Sequence, residues 1–132
     1  MIDVGTGIIY RDGKVLIAQR AAHKLNPGLW EFPGGKIEKG ETIQECLQRE
    51  LREELEIETE IGDYIMDAVY VCPDQTYVLK VYWVSIIRDK EPVLTKEHMQ
   101  LSWVSFAEMS DYDFSLADID IVNHLQALKC AC

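Results

Sequence analysis

The stretch LQRELREEL, residues 47–55, sets Glu50, Glu53 and Glu54 three and four residues apart in a segment that reads as helix. On a wheel of about 100° per residue, Ile43, Cys46, Leu47, Leu51 and Leu55 span about half the circumference. Glu50 and Glu54 fall inside that apolar arc and Glu53 borders it, while Glu45, Gln48, Arg49 and Arg52 take the other side. Carboxylates set among core-facing residues are costly unless a cation compensates them, because unpaired charge resists leaving water. A hard divalent ion such as Mg2+ meets that need. It takes oxygen ligands and keeps positions open for water and substrate phosphates. The competing reading is a solvated face laced by pairs such as Arg49 with Glu53. That reading fits the placement of Glu50 and Glu54 poorly.

The elements that must position these acids follow from pattern. Residues 2–10 and 15–19 are rich in β-branched and apolar residues and flank RDGK, so they predict a strand, a tight turn and a second strand. In AAHKLNPGLWEFPGGK, the residues Pro27, Gly28, Pro33, Gly34 and Gly35 forbid long regular structure, and the segment reads as a functional loop. Thr42, with Glu45 three residues on, forms a capping box for a helix reaching about Leu55. Residues 64–71 and 76–87 predict two strands joined by CPDQ, and 99–106 another strand. That strand leads into a short helical turn at Ser105, with Glu108 at the capping-box offset. Leu116, Ile119, Ile121, Val122, Leu125 and Leu128 follow helical spacing after Ser115. Strands mixed with two main helices predict an α/β fold with helices on both sides of a sheet.

Composition narrows the class of function. A chain of 132 residues, 48% hydrophobic and 27% charged, has the balance of a single globular domain spanning 1–132. No apolar run reaches the roughly 18 to 20 residues of a membrane span, and no secretion signal is recognisable, so the cytoplasm is the expected location. Cys46, Cys72, Cys130 and Cys132 form no zinc-ligand pattern, and Cys130 and Cys132 read as a tail of reduced thiols. The net charge of −10 argues against a nucleic-acid polymer as partner. Between Glu38 and Glu60 nine glutamates face three basic residues, so a phosphate meeting this region requires a divalent cation in between.

Ahead of the acidic helix, Gly34 and Gly35 let backbone carbonyls approach a ligand, and Glu41 can reach the same cavity. Residues 35–57, GKIEKGETIQECLQRELREELEI, resemble the Nudix box: Gly, five residues, Glu, seven residues, Arg-Glu, an aliphatic, any residue, Glu-Glu, any residue, Gly, an aliphatic. Gly35, Glu41, Arg49, Glu50, Leu51, Glu53, Glu54 and Ile57 fit it. Glu56 departs, standing where the pattern has its closing glycine. A left-handed Glu costs about 1 kcal/mol, so the helix is expected to run slightly longer or end differently. LWEFPGGKIEKGET, the upstream VLIAQR and the C-terminal SLADIDIVNHL extend the resemblance to the MutT-like nucleoside triphosphate pyrophosphohydrolases, nearest the CTP pyrophosphohydrolase branch.

The resemblance implies a Nudix α/β/α sandwich around a mixed sheet, and cleavage of a nucleoside triphosphate to monophosphate and pyrophosphate with Mg2+ or Mn2+. Glu50, Glu53 and Glu54, with the Gly34 carbonyl, are the expected metal ligands. Glu97 lies in the stretch where the family often adds a further acid, although it also reads as an exposed loop acid. Glu41 is expected to bind a second ion or to buttress the helix. Glu50 is favoured over Glu97 as the group that activates water, with Arg49 orienting it by a charge-assisted hydrogen bond. Arg20 is the candidate phosphate contact, with a surface salt bridge as its alternative. Trp30 and Phe32 are candidates for stacking on a base, with ordinary packing as the alternative. His23, His98 and His124 read as ordinary histidines.

Asp118 lies three residues after Ser115, where an acid caps a helix, yet the resemblance places it facing the nucleobase. An ionised Asp only accepts hydrogen bonds and suits the amino group of cytosine or adenine, whereas a protonated one also reads 8-oxoguanine. The expected function is therefore a (d)CTP-preferring pyrophosphohydrolase, monomeric or homodimeric. An 8-oxo-dGTP sanitising hydrolase is the alternative, and a non-catalytic nucleotide sensor is a third reading.

Overall fold

Ile8 and Ile9 are neighbours in the chain and both fully buried, yet they belong to different cores. Alternation along a strand sends them to opposite faces of a sheet that is covered on both sides. In the computed structural model, which describes residues 1–130 and side chains as far as residue 128, that strand is β1 (Ile2–Arg11). The reading of Cys130 and Cys132 as a tail of thiols lies outside the described residues and side chains.

β1 is followed by β2 (Lys14–Arg20), β3 (Trp30–Glu31), β4 (Gly34–Lys36), α1 (Ile43–Leu55), β5 (Thr59–Val71), β6 (Thr76–Ile86), β7 (His98–Val104) and α2 (Leu116–Cys130). The sheet runs β3-β2-β1-β6-β5, with β4 on β1 and β7 on β2. It is mixed: β1 and β6 are parallel from Ile2 opposite Tyr77 to Ile9 opposite Val84, and the other pairs are antiparallel. One edge of β1 is shared. Tyr10 and Arg11 pair with β2, while Val4, Gly5 and Thr6 pair with β4, so the sheet opens between them.

On one face, Leu47, Leu51 and Leu55 of α1 pack with Ile9, Leu16 and Val84. On the other, Ile121, Val122 and Leu125 of α2 pack with Ile8, Val15, Ile17 and Val81. The expected layer order is therefore present. The capping box at Thr42 and Glu45 is formed in both directions, at 3.1 and 2.9 Å. Glu56 corrects the expectation of a different helix end: it is left-handed, φ 55° and ψ 40°, and its N–H reaches Arg52 O at 3.1 Å. The Lys90 ammonium bonds the Glu56 carbonyl. The chain keeps the turn that glycine serves elsewhere and accepts the strain of a Cβ there.

Two other expectations are revised. The loop after β2 contains β3 and β4, too short to show a period in sequence. β5 begins at Thr59, five residues before the expected start at Tyr64, because Glu60, Gly62 and Asp63 hide its pattern. Register irregularities between Ile61 and Met66 accompany that polar stretch.

Candidate active site

The opening beside β4 leads into a cavity of about 500 Å³. Its lining includes Gly34 and Gly35, Glu54 from α1, Arg20 and Glu31 from β2 and β3, and Asp118 from α2. The glycines are dictated by space. A Cβ on Gly34 would lie 1.9 Å from the Gly5 carbonyl oxygen, and one on Gly35 would lie 2.3 Å from Glu50 Cδ. β4 can therefore run beside β1 only without a side chain at position 34, whereas a side chain at position 35 would collide with the Glu50 carboxylate.

Arg49 organises one end of the acid cluster. Its Nε and Nη2 donate to Glu41 at 2.6 and 3.0 Å, its Nη1 donates to Glu50 Oε1 at 2.8 Å, and Glu53 Oε1 lies 3.5 Å from the same nitrogen. These bonds raise the guanidinium further above its already high pKa, Glu41 contributing most. Arg49 has no free fork for a substrate; it fixes Glu50. Glu41 also accepts from Glu38 N at 2.9 Å, and the Arg49 bonds hold its carboxyl below the ordinary range. Its geometry is that of a buttress between the glycine loop and α1. Beneath them the Cys46 thiol reaches Gly35 O at 3.4 Å, and burial pushes it up to about 11, so it stays protonated.

Glu54 is 6% exposed. Burial pushes its carboxyl well above the ordinary range, and the hydrogen bond and charge of Glu50 add to the effect, with smaller contributions from Glu31 and Glu97. Glu53 is the exposed member of the set, with its side chain 59% accessible. Among the described residues, no three His, Cys, Asp or Glu side chains stand in a ready-made ligand cluster. Still, the donor set suits a hard divalent cation. It consists of carboxylate and carbonyl oxygens, it is net negative, and the mutual repulsion of Glu50 and Glu54 is the kind a cation between them relieves.

Glu97 is not joined to this cluster by a hydrogen bond. It pairs with the Lys24 ammonium, whose hydrogen bond holds the Glu97 carboxyl below its ordinary value. Arg20 lines the cavity and forms the salt bridge weighed as its alternative: its Nη1 donates to Glu31 Oε1 at 2.7 Å and its Nε to Leu25 O at 2.6 Å, which commits two of its five N–H donors. Trp30 does not line the cavity; it is 8% exposed, sits in the α2-side core and meets Tyr112 edge-on at 4.9 Å. Packing, the alternative weighed for it, is what Trp30 does, in the core beneath α2. Phe32 does line the cavity, stacked on Phe114 at 5.3 Å.

Asp118 is 4% exposed, with Ser115 Oγ 3.2 Å from Oδ2. Burial, then the charge of Glu31, pushes its carboxyl up to about 8. Of the two forms left open by the sequence, this shift favours the neutral acid, which both donates and accepts.

Sequence reasoning missed Glu31 and His98. Glu31 accepts from His98 Nε2 at 2.9 Å as well as from Arg20; burial opposes its ionisation, but these two partners outweigh it and hold the carboxyl below its ordinary value. The available signal was the alternation Trp30, Glu31, Phe32, which sets one acid between two apolar neighbours.

A three-layered α/β/α fold with glycine-flanked carboxylates at the split of its sheet is the architecture of a phosphoanhydride hydrolase. Residues 1–125 match the NUDIX domain, and the chain belongs to that family. It is 39% identical to the CTP pyrophosphohydrolase of Escherichia coli K12 over 131 residues, 99% of this chain and 96% of the relative. It is also 39% identical to a putative 8-oxo-dGTP diphosphatase 2 of Mycobacterium tuberculosis over 118 residues, 87% and 81% of the two chains. The solution structure of the E. coli ORF135 protein superposes with a TM-score of 0.86 at 38% identity, covering 99% of this chain and 92% of that one.

Proposed function

We propose that this chain is a Mg2+- or Mn2+-dependent pyrophosphohydrolase of nucleoside triphosphates, with cytosine nucleotides, (d)CTP or modified forms, as preferred substrates. The observation that carries the reading is the buried Glu54 beside Glu50, with Glu54 lining a cavity that Gly34 and Gly35 also line. Glu50, Glu53 and Glu54, with the Gly34 carbonyl, would hold the ion. Bound there, it would neutralise the polyphosphate and acidify a water. Arg49 keeps Glu50 in place, and Glu50 Oε2, free of Arg49, takes the proton as the water oxygen attacks phosphorus and the α–β anhydride breaks. Glu97 is engaged by the Lys24 ammonium, whose hydrogen bond holds its carboxyl below the ordinary value, and is less available to take the proton. Identity to the E. coli CTP pyrophosphohydrolase along almost the whole of both chains supports the cytosine preference.

Asp118 gives a second reading its footing. A neutral acid donates to cytosine N3 while accepting from its N4 amino group, but it equally accepts from N7–H and donates to O6 of 8-oxoguanine. Both bases therefore fit, and the relatives carry both activities in their names. Pyrophosphate release across CTP, dCTP, 5-hydroxy-dCTP, 8-oxo-dGTP and the unmodified purine nucleotides, with and without Mg2+, separates them. Equal turnover of every base, or turnover without a divalent ion, contradicts the proposal. The pH profile tests Asp118 directly. Below about 8 the acid keeps its proton and its donor; above it the carboxylate loses the donor, so KM for the preferred nucleotide rises with pH beyond that point. Asp118→Asn, which keeps one donor and one acceptor, removes that rise. A KM rise that persists unchanged in Asp118→Asn assigns the effect to another group.

A further inference from the structure

His98 does not line the cavity. It stands behind the wall, its side chain 2% exposed, at the first position of β7. Two features bring it there. Thr95 Oγ1 donates to Glu54 O at 2.7 Å and Val93 N to Leu55 O at 2.8 Å, which clips the segment before β7 to the end of α1. β7 then carries a bulge: Gln19 pairs with Gln100 but Arg20 pairs with His98, leaving Met99 as the extra residue. Alternation from Leu101 and Trp103, which pack on the α1 side, would assign that face to Met99 and turn His98 away. The extra residue reverses the assignment and delivers the imidazole to the face that holds Glu31 and Glu54.

There its Nε2 lies 2.9 Å from Glu31 Oε2 and 3.9 Å from Glu54 Oε1, and its Nδ1 is buried with no partner among the described residues. An orphaned ring nitrogen is a cost that an apolar residue would avoid. The bond to Glu31 is what the imidazole gains in return. Glu31 is then held at both oxygens, Oε1 by Arg20 and Oε2 by His98. A carboxylate pinned in this way lines the cavity between Glu54 and Asp118, whose acidities both respond to its charge.

We propose that His98 is a positioning residue for nucleotide binding: through its Nε2–H it fixes the Glu31 carboxylate in the cavity wall and so aligns the nucleoside end with the acid cluster on α1. This rests on the reading of the cavity as a nucleotide site. No proton transfer is involved; the imidazole acts as a fixed donor set by the bulge. A residue that served packing alone would be replaceable by leucine. A donor at Nε2 is replaceable by glutamine, whose amide nitrogen reaches a similar place, but not by asparagine, whose amide falls near Nδ1.

The test is calorimetric titration of CMP and of 8-oxo-dGMP into the wild type, His98→Leu, His98→Gln, His98→Asn, Glu31→Gln and the His98→Leu, Glu31→Gln double variant, beside thermal melts. Expected is a loss of about tenfold in affinity for His98→Leu and His98→Asn, with His98→Gln within about threefold of the wild type. In the Glu31→Gln background the His98→Leu change costs little more, because the partner it positions is already gone. Wild-type affinity in His98→Leu, equal losses in the Gln and Asn variants, or full additivity with Glu31→Gln overturns the proposal. Should the Leu variants fail to fold, the Gln and Asn pair decides alone. Absence of monophosphate binding by the wild type also overturns it. A wild type that binds monophosphate yet hydrolyses no triphosphate refutes the enzymatic reading while the binding data still decide the role of His98.

Discussion

Glu53→Gln is expected to lower kcat by about two to three orders of magnitude while the protein melts at nearly the wild-type temperature. The two halves of that expectation come from different observations. Stability is barely touched because the Glu53 side chain is 59% accessible and its ion pair with Arg49 is long at 3.5 Å. Exposed pairs of this kind contribute little, and surface changes usually stay within about 0.5 kcal/mol. Turnover is expected to fall because Glu53 shares an Arg49 nitrogen with Glu50 and, on the proposed reading, would supply the ion with a charge that Glu50 and Glu54 would not replace. Steady-state pyrophosphate release with a parallel melt checks both. Wild-type turnover would remove Glu53 from the site, and a collapsed melt would make it structural.

The second large effect concerns a residue with no functional group. Gly35→Ala places its Cβ 2.3 Å from Glu50 Cδ and 2.5 and 2.6 Å from the two carboxylate oxygens. The obstructing atoms are the end of a flexible side chain, so the backbone can stay where it is and Glu50 must swing away. Moving off a good rotamer costs about 1 kcal/mol, which the fold tolerates. The site does not. Glu50 leaves the 2.8 Å bond to Arg49, and displacement of a reacting group by about 1 Å lowers turnover about a hundredfold. The measurement is kcat and KM with a crystal structure of the variant. Undiminished kcat with Glu50 displaced would show that its position is irrelevant to the chemistry.

The parts of the site that were legible in sequence are those set by local rules. The capping box at Thr42, the run of Leu47, Leu51 and Leu55 at spacings of four, and the spacing of Glu50, Glu53 and Glu54 all follow from helix geometry alone. The two-sided sheet was legible because strands mixed with two main helices call for a helix on each face, and Ile8 and Ile9, like Leu16 and Ile17, turn to opposite cores. What was not legible depends on tertiary contact. The left-handed Glu56 is tolerated because Lys90, 34 residues away, bonds its carbonyl. Trp30 goes to the core because a two-residue strand pairs with β2, a length at which no periodicity exists. His98 reads as a loop histidine until the Met99 bulge turns it inward. The raised pKa of Asp118 follows from its burial beside the charged Glu31, a pairing between residues far apart in the chain.

The claim on which the function depends is that Glu50, Glu53 and Glu54 exist to hold a divalent cation against a polyphosphate. Calorimetric titration of Mn2+ and Mg2+, alone and with a non-hydrolysable CTP analogue, measures it most directly. Binding at millimolar concentration or tighter is expected, strengthened by the nucleotide and abolished by Glu53→Gln. No association of either metal at millimolar concentration, even with the analogue present, would contradict it.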